Sequence, residues 1–124
     1  MDNLNHLQVK RIYSESSHTD GYRILADRLW PRGITKERAN IDYWAKEITP
    51  STELRKIFNH DENTMGEFKI RYYLELDSNE YGKAFIVLIR NKLKEGNVTL
   101  LYAAKNETYN HAHVLKEWIE EKIQ

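Results

Sequence analysis

Arginine, aspartate and histidine side chains fall at the ends of two apolar segments, and the candidate chemistry of this sequence lies there. In Asp27-Arg28-Leu29-Trp30-Pro31-Arg32-Gly33, two guanidiniums bracket an indole. A guanidinium presents a planar fork of donors that grips a phosphate or carboxylate at two points, and an indole offers a flat stacking wall. The competing reading is structural: Arg28 bridges to Asp27 and Trp30 fills the core. The second segment runs from Leu100 through Lys105 and Asn106 to Asn110-His111. An imidazole suits general acid/base chemistry, which makes His111 the candidate, with Asp27 placed to orient it or an arginine. Lys105 and Asn106 add donors for an anion, and Asn110 is first a helix cap and second a ligand contact.

Elements must bring these groups together. Leu7 to Tyr13 and Tyr22 to Trp30 alternate as strands, the second ending where Pro31 lacks a ladder donor. Val98 to Ala104 is a continuous apolar run, expected as a strand covered on both faces. Between them helical spacing dominates. Thr35 caps a stretch in which Ile41, Trp44, Ala45 and Ile48 share a face. Thr49-Pro50 opens the stripe Leu54, Ile57, Phe58, with proline at the first helical position. Asn59-His60-Asp61 reads as a break whose aspartate caps the helix of Met65, Phe68, Tyr72 and Leu76. Tyr81 to Glu95 is a further helix, closed by Gly96. The last runs from about Asn110 to Ile123, its stripe being Val114, Leu115, Trp118, Ile119 and Ile123. In that phase His111 points toward the sheet and His113 faces water. Tyr102 and Tyr109 are the tyrosines placed near the site, and Gly33 is assigned a positive φ. Strands separated by helices predict a single α/β domain, a small, mostly parallel sheet with helices packed on it.

The 124 residues suffice for one domain with a real core. Lys+Arg and Asp+Glu are both 19, so the basic excess of a general nucleic-acid binder is missing. The chain has no cysteine, which removes disulfides, thiol catalysis and Cys-type zinc sites. Met1 to His6 is polar, without the apolar core of a secretory signal, and the run Ala84 to Ile89 is far too short to span a bilayer. A soluble cytoplasmic protein is the expectation. His111 and His113 are two apart and cannot chelate one metal from a regular helix. Residue type alone leaves open a site made of His111 or His60 with Asp27 or Glu107.

Gly-Tyr-Arg-Ile-Leu-Ala-Asp-Arg-Leu-Trp-Pro-Arg-Gly (21–33), Trp44, Pro50-Ser51 with Leu54-Arg55, His60-Asp61, Phe68, Arg71-Tyr72, Val98 to Ala104 and Asn110-His111-Ala112 together resemble the YeaO-like bacterial proteins, domain of unknown function 488. The resemblance covers nearly the whole chain and implies a small α/β domain without an assigned activity. Longer members of the wider group carry Cys-His-Arg where this chain has Asn110-His111-Ala112. The histidine matches; the thiol and arginine do not, so thiol-based chemistry does not carry over. The sequence thus predicts a site for a small anionic or nucleotide-like ligand at the ends of strands 22–30 and 98–104. Arg28, Trp30, Arg32, Lys105 and Asn110 are its binding residues and His111 with Asp27 its catalytic candidates, with no cofactor or metal assigned. A non-catalytic regulatory or protein-interaction module, its Arg/Asp/His cluster purely structural, is the alternative.

Overall fold

Val98 to Tyr102 forms a strand, β4 (Val98–Tyr102), buried at every position, as a run without charge allows. In the computed structural model, which describes residues 5–124, β4 lies between β1 (Leu7–Arg11) and β2 (Tyr22–Leu25), with a short β3 (Tyr43–Trp44) outside β2. All pairings are parallel, with Leu7 opposite Val98, Ile24 opposite Leu100 and Leu25 opposite Trp44. The expected parallel α/β domain is therefore the fold. The polar reading of Met1 to His6 rests mostly on residues 1–4, which lie outside the described residues.

Helices α1 (Lys36–Ala39), α2 (Thr52–Ile57), α3 (Glu62–Ser78), α4 (Gly82–Glu95) and α5 (His111–Ile123) complete the domain. Val98 and Leu100 face a large core built from Phe68 and Tyr72 of α3, Phe85 and Ile89 of α4, and Leu115, Trp118 and Ile119 of α5. Leu101 and Leu25 face the other way, into a small core with Ile12, Ile34 and Ala39, edged by Trp30 and Trp44. Alternation along a strand produces this division, since successive side chains point to opposite faces.

The first and last strands end two residues early, at Arg11 instead of Tyr13 and at Tyr102 instead of Ala104, and three further boundaries move, each for a local reason. The helix expected from Thr35 to Ile48 stops at Ala39. Thr35 does cap it, but Asn40 turns left-handed (φ 48°), and the buried Arg23 draws the carbonyls of Ala39 and Asn40 at 2.9 and 3.0 Å. Trp44 then lies in β3, not in a helix, and a 3₁₀ turn, Lys46–Ile48, follows. The second strand ends at Leu25, not at Trp30, because the Ala103 N–H bonds the Asp27 carboxylate at 2.9 Å where a ladder carbonyl would stand. The cap of α2 is Ser51, not Thr49; its hydroxyl accepts from Leu54 N and donates to Glu75 at 2.5 Å, so Pro50 precedes the helix.

Candidate functional site

The loop after β2 is tied down at several points. Gly33 has the expected positive φ of 79°, a conformation that disfavours other residues. The Trp30 indole N–H donates to the Ile34 carbonyl and that of Trp44 to the Asp27 carbonyl, both at 2.7 Å; the Tyr13 hydroxyl donates to the Arg32 carbonyl at 2.8 Å. Trp30 meets Trp44 edge to face at 5.5 Å. A fixed loop can hold its side chains toward one point without ordering them anew each time a ligand arrives.

Beside this loop, at the carboxyl ends of β2 and β4, opens a cleft of about 530 Å³. Ligands of open parallel sheets bind at this end of the strands. Its lining includes Asp27, Arg28, Trp30, Arg32 and His111. Asn110 and Lys105 stay outside that lining. Asn110 is 0% exposed; it caps α5 by accepting from His113 N at 3.2 Å and donates to the Asn106 carbonyl at 3.0 Å. Lys105 is exposed on the loop after β4. Asn106 spends its side-chain N–H on the His60 carbonyl at 2.9 Å. Among the tyrosines Tyr13 lines the cleft, whereas Tyr102 and Tyr109 do not.

Asp27 and His111 form a pair. His111 Nε2 lies 2.8 Å from Asp27 Oδ1 and 2.6 Å from the Ala26 carbonyl, while Oδ2 receives the Ala103 N–H. Both neighbours of Nε2 are acceptors, so Nε2 carries the proton of the neutral ring and Nδ1 is left with the lone pair. His113, expected in water, is half-buried: its Nε2 bonds the Glu107 carbonyl at 2.8 Å and its ring lies 6.4 Å from that of Tyr102. The turn before α5 folds back over the first helical turn and covers it.

The arginines are not bridged to Asp27. Arg28 is exposed and donates from Nη1 to Thr52 Oγ1 at 3.1 Å; Arg55, also exposed, donates to the same oxygen at 3.4 Å. Arg32 too is exposed. None of the three has an ion-pair partner among the described residues, and the lone carboxylate in the cleft lining is committed to His111 and Ala103. One hydroxyl thus keeps two like charges together with nothing to neutralise them. Arg55 is not among the site residues expected from the sequence, although the sequence stripe Leu54, Ile57, Phe58 places it three residues before the buried Phe58. From the sequence His60 belongs to a capping loop and is at most a metal ligand, not a residue of the anion site. Asp61 does cap α3, accepting from Thr64 N at 3.0 Å, but His60 lines the cleft with its backbone left-handed (φ 54°). Its ring is tilted 32° over Phe58 at 4.4 Å, and burial on that side, reinforced by His111, pushes its pKa below the ordinary 6.5 against the pull of Asp27 and Asp61. Among the described residues no three His, Asp or Glu side chains are grouped to hold a metal, and no described helix is long and apolar enough to cross a membrane.

A parallel α/β domain with a cationic cleft at its strand ends is the class that fold and site define. Residues 6–124 match the family model described as the inactive DUF488-N3 subclade, and the chain belongs to that family. It is 48% identical over 114 residues to the uncharacterised protein YeaO of Escherichia coli, covering 91% of this chain and 96% of that one. Uncharacterised proteins of Mycobacterium bovis and Mycobacterium tuberculosis are each 33% identical over 111 residues, 90% of this chain and 91% of theirs. No solved structure matches.

Proposed function

We propose that this chain is a cytoplasmic protein that binds a small anion of the phosphate or carboxylate class in the cleft and holds it without turnover. The observation that carries the reading is the trio Arg28, Arg32 and Arg55, charged, exposed to the cleft and without a carboxylate partner among the described residues. Like charges kept within reach of one hydroxyl repel, and an anion between them relieves that repulsion while taking two-point hydrogen bonds. Binding without chemistry agrees with the description of the subclade as inactive and with the lack of any cysteine. The Asp27–His111 pair then fixes the strand ends. Phosphate and sulfate are therefore expected to raise the melting temperature of the purified protein, as any ligand of the native state does. Arg28→Ala combined with Arg55→Ala should abolish the rise, and Arg32→Lys should reduce it although charge is kept, because lysine lacks the planar fork. A melting temperature indifferent to phosphate, sulfate and small carboxylates would overturn the proposal.

A further inference from the structure

The cleft is far larger than an inorganic anion, and much of its wall is carbon. At about 530 Å³ it falls in the range of pockets that enclose drug-sized molecules. Trp30, Pro31, Pro50, Phe58 and Phe68 line it beside the arginines, and Leu29 at its lip is 71% exposed. Phosphate alone would leave this apolar wall in water.

The aromatic part of the wall is ordered. Phe68 stacks on Phe58 with centroids 4.1 Å apart and planes 15° apart, and His60 lies on Phe58 at 4.4 Å. Phe58 and Phe68 belong to the core, whereas His60 ends the row and is exposed. Its placement is enforced, since the left-handed backbone is uncommon outside glycine and the Asn106 side chain clamps its carbonyl. The row and a cation also meet in one wall: Arg55 lies near the end of α2, Phe58 is the residue that caps it, and both line the cleft with His60. An anion on Arg55 and a ring on His60 are within the span of one small molecule.

Resting on the anion-binding reading, we infer that the ligand is a phosphomonoester bearing a flat heteroaromatic ring, a mononucleotide in its simplest form. The phosphate sits among Arg28, Arg32 and Arg55, and the ring extends the Phe68–Phe58–His60 row. His60 lines the cleft and serves there as the π surface at the end of the row.

Calorimetric titration of the intact protein with inorganic phosphate, ribose 5-phosphate, adenosine, adenosine 5′-monophosphate and uridine 5′-monophosphate tests this. Stacking of one base supplies about 1–3 kcal/mol, so at least one nucleotide should bind about 5- to 150-fold more tightly than ribose 5-phosphate. His60→Asn tolerates the left-handed backbone and removes most of the ring surface; it should erase that advantage while leaving ribose 5-phosphate binding unchanged. Arg55→Ala should weaken nucleotides and ribose 5-phosphate alike. Equal binding of ribose 5-phosphate and both nucleotides overturns the ring and leaves the anion site standing. Adenosine binding as tightly as its monophosphate, or no binding by any phosphorylated probe, overturns both. A full nucleotide preference retained in His60→Asn overturns the stacking on His60.

Discussion

Thr52 is the smallest residue on which the cationic cleft depends. Its single oxygen accepts from Arg28 and Arg55, so two guanidiniums are positioned before any anion arrives. Thr52→Val keeps the shape and removes the acceptor. Because Thr52 is exposed, stability should change by no more than about 0.5 kcal/mol, while phosphate affinity drops several-fold as the arginines lose their common anchor. Paired melting and titration data check this, and a large loss of stability would show that the hydroxyl serves the fold instead. His60 gives the cleft its pH dependence. In the free protein its pKa lies below 6.5, so the unfolded chain binds the proton more readily and stability falls as pH drops through and below that value. His60→Asn should flatten this acid limb in melts between about pH 7 and 5.

Among the elements, the clearest lesson comes from Arg23, which is 2% exposed and decides where α1 ends and β3 begins. Its guanidinium pairs with Asp20 and donates to the carbonyls of Ala39 and Asn40, while the Arg23 backbone N–H donates to the Asp42 carboxylate at 2.9 Å. Ile41, Trp44, Ala45 and Ile48 carry helical spacing, yet a buried cation demanding carbonyls outweighs the weak propensity of so short a stretch. Nothing local distinguishes Arg23 from a surface arginine, so this boundary was not legible. Caps were legible where a short polar side chain bonds its own helix, as at Thr35, Asp61 and Asn110. In the site, Arg28, Arg32, Asp27 and His111 share the cleft as their position at strand ends suggested, whereas Arg55 and His60 come from α2 and the loop after it, brought in by tertiary packing. Arg23→Ala would leave Asp20 buried and unpaired apart from Lys10, a loss of about 3–5 kcal/mol. Burial works against the Asp20 charge, but hydrogen bonds from Ser17, Lys10 and Arg23 outweigh it and hold its pKa below 3.8. Its contribution is complete above the unfolded value and disappears as pH falls through the folded one. Urea melts at pH 7 and below pH 4 should accordingly differ more for wild type than for Arg23→Ala.

For the molecule as a whole, the two cores are unequal, and the cleft borders both. Leu100 and Leu101 are neighbours on β4, each 0% exposed, with Leu100 in the helix-covered core and Leu101 under the loops of Trp30 and Trp44. Truncating a buried leucine costs about 2–5 kcal/mol, and the place within that range reflects how far the surroundings collapse into the space. Around Leu100 the walls belong to helices α3, α4 and α5, which cannot shift singly without disturbing the others. Around Leu101 the edge is formed by half-buried Trp30, Trp44, Ile41 and Tyr13, which have room to settle. Leu100→Ala should therefore fall near the top of the range and Leu101→Ala near the bottom. Function should rank the other way. Settling of Trp30 and Tyr13 moves two lining side chains of the cleft, so Leu101→Ala, though the more stable variant, should lose more phosphate affinity at a temperature where both remain folded. Denaturant melts alongside phosphate titrations give both rankings. If stability and affinity fell together in one variant, the loop face would be as rigidly packed as the helical one, and the cleft would draw its shape from the whole sheet.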